Sequence, residues 1–328
     1  MDDPRAPSGS DDADKQEWLA RLEDVGDEPG YFKPLGNSHY AVLTEGSSTL
    51  LVTFETVESI RKNTEDEMPL GFELIAEKGW SHLGILTEGC TWFRSRSVYD
   101  YFDGLLDDGF FEEFDHVVFM GSGMCGYAAA AYSVAAPGCT VLVFNPQATL
   151  DPRVTEWDHR FKSSRRVSFT DRYGFAPDMV DAANQVFLLY DPEEELDAMH
   201  AALFTRSHVT KLRCRFLGPD IMKAMIQMDI LQPLVDTACE DGDVAKRFHQ
   251  LYRARHNYPP YLGRLLTHLD DDDRCIMSGM LCRYAVNRVE APRFKERLES
   301  IEARLRSAGK TLPNIRRIRK SVAFQPLD

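Results

Sequence analysis

The sequence predicts an α/β fold: a parallel sheet with helices on both faces, followed by an all-α region. Three observations predict it. Strand-like apolar runs alternate with helical patterns between Leu50 and Phe216, which is typical of right-handed β-α-β crossovers. The run Val117–Ala131, VVFMGSGMCGYAAAA, has the pattern of a buried strand, a glycine-rich turn and an alanine-rich helix. From Asp220 onward only helical periodicity remains.

Taken in chain order, the polar residues 1–15 are predicted to be disordered, and Gln16–Val25 to form a short amphipathic helix. The predicted strands are short runs rich in apolar and β-branched residues: Leu50–Glu55, Trp80–Leu86, Asp115–Met120, Thr140–Asn145, Val186–Tyr190 and Val209–Phe216. The helices predicted among them are Val98–Asp107, by its apolar spacing, and Gly123–Ala135, which Pro137-Gly138 ends. The helices predicted after the last strand are Ile221–Ile230, Val244–Arg255, Tyr261–Leu269, Arg274–Val289 and Arg293–Ser307.

This order divides the chain into a sheet domain, residues 16–219, and a helical C-terminal region, residues 220–328. Between two strands of the sheet domain lies a polar segment, residues 151–178, at a place where such folds carry a lid. We call residues 151–178 the lid.

Composition excludes several classes of protein. The net charge of −14 argues against nonspecific binding to nucleic acid or to an anionic membrane. No apolar run reaches the roughly 18 residues of a membrane span, and the acidic start lacks the basic and apolar regions of a secretion signal, so we expect a cytoplasmic protein. Seven cysteines without a C-x-x-C pair predict neither a disulfide framework nor a zinc site, and no cofactor is expected.

The glycine-rich turn has the layout of a nucleophile elbow, whose pattern is G-x-S-x-G. If Gly121 is the first glycine, Gly123 takes the serine position, Met124 follows, and Cys125 replaces the second glycine, with Gly126 next. Neither Ser122 nor any other serine fits the pattern in a shifted frame. Two alternatives remain open for Cys125: a small residue packed against the sheet, which we favour, and a nucleophile.

The region from Leu50 to Asp151 resembles a group of bacterial α/β-hydrolase-like proteins, some of them found beside polysaccharide and surface-glycan genes. Their elbow reads G-S-S-M-G-G-Y-A-A, where this chain has Gly121 to Ala129, GSGMCGYAA. A later strand ends in S-P-Q-x-x-L-D, where this chain has Asn145 to Asp151, NPQATLD. The resemblance implies an α/β-hydrolase fold. Within the elbow, this chain differs from the pattern of those proteins at Gly123 and Cys125.

The resemblance also implies the positions of the other triad members. Asp191, directly after Val186–Tyr190, matches the acid, although a surface-loop aspartate is the alternative. The histidine should follow the last strand, where Pro219 stands. His200 and His208 are the nearest substitutes, but neither occupies the place of a triad base.

Similar proteins are also described as phosphoadenosine phosphosulfate reductases, a chemistry that the residues do not support. Those enzymes resemble one another in a glycine-rich loop after the first strand and in a Cys-Gly-x-His segment. Here Thr56-Val57-Glu58-Ser59 contains no glycine, and Cys125-Gly126 is followed by Tyr127-Ala128.

A glycine elbow keeps its backbone donors, since the N–H of Met124 lies at a helix N-terminus. The lid adds arginines interleaved with aromatic residues, and we expect them above the elbow as a site for phosphate, sulfate or carboxylate on a sugar or nucleotide. A solvated lid is the alternative. The candidate ligand-binding arginines are Arg160, Arg165, Arg166 and Arg172.

Two functions remain open. The first is a non-catalytic binding module for an acidic small molecule, a glycan or a partner protein, the last through the C-terminal helices. The second is a hydrolase or transferase of altered mechanism that uses Cys125 or an activated water, with Asp191.

Overall fold

The structure is a computed structural model, and it describes residues 17–22, 30–63 and 67–313. The predicted disordered segment, residues 1–15, lies outside the described residues, and so do the ends of the first predicted helix, of which residues 17–22 form α1. The chain divides into two compact units, the first ending at Leu251 and the second beginning at Tyr252.

The first unit is built on one eight-stranded sheet in the order β1-β2-β4-β3-β5-β6-β7-β8. Strand β2 runs antiparallel to β1 and β4, and every other neighbouring pair is parallel. The strands are β1 (Gly30–Pro34), β2 (His39–Thr44), β3 (Thr49–Thr56), β4 (Ser81–Thr87), β5 (His116–Ser122), β6 (Thr140–Phe144), β7 (Gln185–Tyr190) and β8 (Val209–Arg213).

Helices cover both faces of this sheet. The remaining helices of the first unit are α2 (Val57–Asn63), α3 (Leu70–Ile75), α4 (Arg96–Asp107), α5 (Met124–Tyr132), α6 (Pro152–Thr155), α7 (Ala176–Met179), α8 (Glu195–Leu203), α9 (Ile221–Gln227), α10 (Leu231–Cys239) and α11 (Val244–Leu251). On one face α4 and α5 form the main core with the strands, and on the other α3 and α10 pack on the sheet.

All six predicted strands are present, with ends shifted by a few residues. The prediction missed the antiparallel pair β1 and β2 at one edge, and it missed α10. It also ended the sheet domain at 219. The sheet unit continues to Leu251 because α10 and α11 pack against its strands.

The second unit contains three longer helices, α12 (Pro259–Asp271), α13 (Cys275–Val286) and α14 (Pro292–Ser307). Leu262, Leu266, Cys282, Ala285 and Phe294 form its core. Residues 314–328 lie outside the description. Among the residues described, no helix combines the length and the apolar character that crossing a bilayer requires.

The sheet order, the single antiparallel strand near one edge and the sharp turn after β5 make this an α/β-hydrolase-like fold. The loops at the carboxyl ends of the parallel strands meet around the turn between β5 and α5. Ligands bind at this edge in open α/β sheets.

Candidate functional site

The turn between β5 and α5 is the centre of the candidate site. Gly123 has φ +58° and ψ −123°, a backbone conformation that side chains rarely adopt, at the sharp turn after the central strand β5. A side chain in such a region costs about 1–3 kcal/mol. The Gly123 N–H donates to the Phe144 carbonyl at 2.9 Å, and the Gly123 carbonyl accepts from the Tyr127 N–H at 2.9 Å. The turn is therefore fixed both to β6 and to the helix.

The neighbouring glycines of the elbow are explained by packing. A Cβ at Gly121 would lie 2.3 Å from the carbonyl oxygen of Cys125. A Cβ at Gly126 would lie 3.1 Å from the Gly121 oxygen and 3.3 Å from the Phe144 oxygen. The absence of side chains at Gly121 and Gly126 thus allows α5 to approach the sheet closely.

Gly123 itself is different, because a side chain there would meet open space. Among the described residues, and apart from its chain neighbours, the one heavy atom within 4 Å of an added Cβ is Oε1 of Gln147, at 3.9 Å. Gly123 is half-buried. The space that a nucleophile side chain occupies in this fold is thus unfilled and faces a glutamine.

Gln147 lies in the segment that follows β6 and is 2% exposed. Its Nε2 donates to the carbonyl of Asn145 at 3.3 Å, and this contact sets the orientation of the amide, because two oxygens would repel each other there. Among the described residues Oε1 has no hydrogen-bond partner although it is buried. Unpartnered buried acceptors are uncommon and cost free energy. Sequence analysis did not single out Gln147.

The remaining side chains of the turn offer no nucleophile–base pair. Ser122 Oγ donates to Asn145 Oδ1 at 3.3 Å. Within the part of the chain that the structure describes, no hydrogen bond joins Ser122 or Cys125 to a histidine.

The surroundings of Cys125 favour its packing role. The residue is 7% exposed and belongs to the main core. Burial raises the pKa of the Cys125 thiol well above its usual range, and the carboxyl of Glu55 adds to the shift. Because the thiolate is the reactive form, this environment works against a Cys125 nucleophile.

The charges near the end of β3 also work against catalysis by a nucleophile at the elbow. In active α/β-hydrolases a backbone N–H near the loop after β3 helps to stabilise the oxyanion. In this protein two carboxyl groups lie where β3 ends and α2 begins. Glu55 accepts from the N–H of Leu70 at 2.9 Å, and Glu58 accepts from the N–H of Gly89 at 2.8 Å. Negative charge from either carboxylate would oppose an oxyanion.

Asp191 follows β7, at the place predicted for the triad acid, and is 1% exposed. Its carboxylate accepts three backbone hydrogen bonds, from Glu193 at 2.9 Å, Phe216 at 3.1 Å and Gly218 at 2.7 Å. The last two come from the loop that carries Pro219. Asp191 therefore anchors the loop in which a catalytic histidine would stand.

The two substitute histidines have structural partners. His200 is fully buried, accepts through Nδ1 from the Ala148 N–H at 3.1 Å, and donates through Nε2 to Asp158 at 3.0 Å. His208 Nε2 donates to the Val180 carbonyl at 2.9 Å. Neither has a role at the elbow.

Two of the four candidate lid arginines, Arg160 and Arg172, are paired with carboxylates. Arg160 bridges Asp158 at 2.8 Å and Asp197 at 2.6 Å. Arg172 pairs with Asp103, and Arg166 is exposed. The side chain of Arg165 lies outside the described residues.

Arg94, which sequence analysis missed, connects the lid to the elbow helix. Its guanidinium is 1% exposed. It donates to Tyr127 Oη at 2.8 Å, to the Arg172 carbonyl at 3.0 Å, to the Ser168 carbonyl and to Asp171. An arginine in the loop before α4 carries no sequence signal for this role.

The loop between β4 and α4 closes over the elbow. Trp92 and Phe93 both have positive φ, +59° and +54°. The Trp92 N–H donates to Met124 Sδ at 3.3 Å, and the Trp92 ring packs against Phe161 and Phe169 of the lid. Aromatic contacts thus connect the lid to the loop that covers the elbow.

A hydrogen bond between a histidine and a threonine hydroxyl holds the loop between β4 and α4 in place. Thr91 Oγ1 lies 2.8 Å from His39 Nε2 and 2.6 Å from Thr87 Oγ1, and it accepts from the Phe93 N–H at 3.2 Å. Burial lowers the pKa of His39 to about 4, so the ring is neutral. The many contacts of Thr91 make it a support of the strained loop.

No group of three or more His, Cys, Asp or Glu side chains is placed to hold a metal ion within residues 17–22, 30–63 and 67–313.

No protein-family model and no curated protein matches the chain. Several solved structures are similar to it. A mutant capsule O-acetyltransferase of Neisseria meningitidis serogroup A, in complex with CoA, is 12% identical, with 67% of this chain and 99% of that chain covered and a TM-score of 0.43. Mouse alpha/beta hydrolase domain-containing protein 10 is 13% identical, with coverages of 64% and 98% and a TM-score of 0.40.

A glycosylation-associated protein complex from Streptococcus agalactiae is 12% identical, covering 61% of this chain and 44% of that one, with a TM-score of 0.41. Likenesses at this level carry no statement about activity or ligand.

Proposed function

We propose that this protein is a non-catalytic α/β-hydrolase-like module that binds a ligand at its elbow. The observation that carries the proposal is Gly123, which stands at the nucleophile position with the backbone of an intact elbow. Acyl transfer on this fold needs a side-chain nucleophile and a base within hydrogen-bonding reach. Gly123 provides no nucleophile, and Pro219 provides no base.

The carboxylate of Asp191 supports the same proposal. A triad acid orients its histidine through a hydrogen bond, whereas Asp191 receives three backbone N–H groups. We therefore assign Asp191 a structural role, in which its carboxylate holds backbone N–H groups.

The ligand at the elbow is a small molecule or a glycan, and a partner protein would instead bind through the C-terminal helices. The resemblance to proteins of polysaccharide loci favours a glycan. The paired lid arginines Arg160 and Arg172 make a strongly acidic ligand the less favoured choice.

The second candidate is a hydrolase or transferase of altered mechanism, and the retained elbow scaffold favours it. It would use Cys125 as nucleophile, or a water activated near Asp191. The raised pKa of the Cys125 thiol weighs against Cys125 as the nucleophile.

Both candidates are tested by hydrolysis of p-nitrophenyl acetate and by labelling with fluorophosphonate and iodoacetamide probes. We compare the wild type with Cys125→Ala and with Cys139→Ala, a matched change of another buried core thiol. The proposal expects background hydrolysis in all three and no labelling at Cys125 in the folded protein. Hydrolysis that Cys125→Ala abolishes and Cys139→Ala preserves would establish the second candidate.

A further inference from the structure

Two hydrogen-bonding groups adjoin the space beside Gly123, one of them a donor and the other an acceptor. The donor is the N–H of Met124, the first residue of the nine-residue helix α5, which has no intrahelical acceptor. The acceptor is Gln147 Oε1, buried, unpartnered, and 3.9 Å from the Cβ position at Gly123. An oxygen one bond beyond that position comes within hydrogen-bonding reach of Oε1.

A ligand group that fits between them must accept a hydrogen bond from the Met124 N–H and donate one to Gln147 Oε1. A hydroxyl does both, because its oxygen accepts while its proton donates. A phosphate, sulfate or carboxylate accepts from Met124 but confronts Oε1 with a second lone pair. The expectation of an anion at the helix N-terminus is therefore replaced by that of a neutral hydroxyl.

The side chains that form hydrogen bonds at the turn itself are uncharged and polar. Ser122 and Asn145 are hydrogen-bonded to each other at 3.3 Å, and the amide of Gln147 completes a set of uncharged groups. Half-buried Met124 and Phe161, linked through Trp92, add apolar surface. A saccharide combines several hydroxyls with an apolar carbon face, and it matches both features.

We infer that the elbow binds a neutral saccharide, one hydroxyl of which occupies the space of the missing nucleophile side chain between Met124 N–H and Gln147 Oε1. This inference rests on the proposed function, since it assigns the ligand class of the same site. The glycine then has a positive role: it keeps that space open.

The test is saturation-transfer NMR on the full chain with glucose, galactose, N-acetylglucosamine and maltose, and with inorganic sulfate and phosphate as competitors. Gly123→Ser places a tethered hydroxyl in the space, and Gln147→Met removes the acceptor at nearly constant size. The matched control is Gly79→Ser, at a glycine with φ +62° whose added Cβ meets nothing within 4 Å. Circular dichroism verifies that each variant is folded.

We expect transfer to at least one saccharide in the wild type and in Gly79→Ser. The signal should weaken at least tenfold in Gly123→Ser and in Gln147→Met, and millimolar sulfate or phosphate should not compete. If no saccharide in the panel gives transfer, if both elbow variants bind like the wild type, or if the anions displace the sugar, the inference is wrong. The hydrolysis assay is independent of these results, so failure of the saccharide site and failure of the non-catalytic function are distinguishable.

Discussion

The carboxylate of Asp191 accepts a hydrogen bond from the backbone N–H of Gly218 at 2.7 Å, one residue before Pro219. The same carboxylate accepts from the Phe216 N–H at 3.1 Å. The carboxylate of Asp191 therefore holds the backbone of the loop that follows β8.

We predict that Asp191→Asn lowers the free energy of unfolding by about 1.5–3 kcal/mol, because hydrogen bonds to a charged acceptor are lost. Urea unfolding measures the change. The control is Asp178→Asn at an exposed carboxylate paired with Arg206, where the cost should stay below about 1 kcal/mol. Equal effects of the two substitutions would contradict the anchoring role.

We predict that Gly123→Ser is more stable than Gly123→Ala by about 1 kcal/mol, since both impose the same backbone strain but only serine donates to Gln147 Oε1. Both should be less stable than the wild type. Thermal and urea unfolding of the three proteins provide the comparison. If serine and alanine are equal, the orphaned oxygen is not aimed at the elbow.

We predict that Arg94→Gln destabilises the protein by about 3 kcal/mol, the upper end of ordinary single substitutions, because a buried network is broken. The lid should also become more sensitive to limited proteolysis, since Ser168, Asp171 and Arg172 all lose their bond to Arg94. Arg96→Gln, at a side chain that is 90% exposed, is the neighbouring control. Cleavage of the lid at equal rates in both variants would refute this role.

We predict a loss of lid stability in acid that depends on Asp158. Burial works to raise the pKa of Asp158, but hydrogen bonds from His200 and Arg160 outweigh it, and the pKa is lowered below its ordinary 3.8. A lowered folded-state pKa contributes stability that is fully present above 3.8 and is lost as the pH falls towards the folded-state value.

The check is the unfolding free energy of the wild type and of Asp158→Asn between neutral pH and about pH 2. The difference between the two proteins should be largest near neutral pH and should shrink in acid. A constant difference would show that the charge of Asp158 does not stabilise the fold.

The sequence determined the strands and the glycine-rich turn between β5 and α5, because these are properties of consecutive residues. Alternation of apolar runs sets the sheet, and glycines at Gly121 and Gly126 mark where helix and strand approach. Strands β1 and β2 escaped prediction, and β2 joins the sheet through β4, a partner distant in the chain.

Only the tertiary structure decided what surrounds the elbow. The arginines of the lid are cationic in sequence, yet Asp103, Asp158 and Asp197 pair with them in space. Gln147 became a candidate binding residue only when the fold placed its unpartnered oxygen opposite Gly123. Local pattern encodes backbone geometry, whereas the partner of a charge or a hydrogen-bonding group is chosen by packing between segments that the sequence keeps far apart.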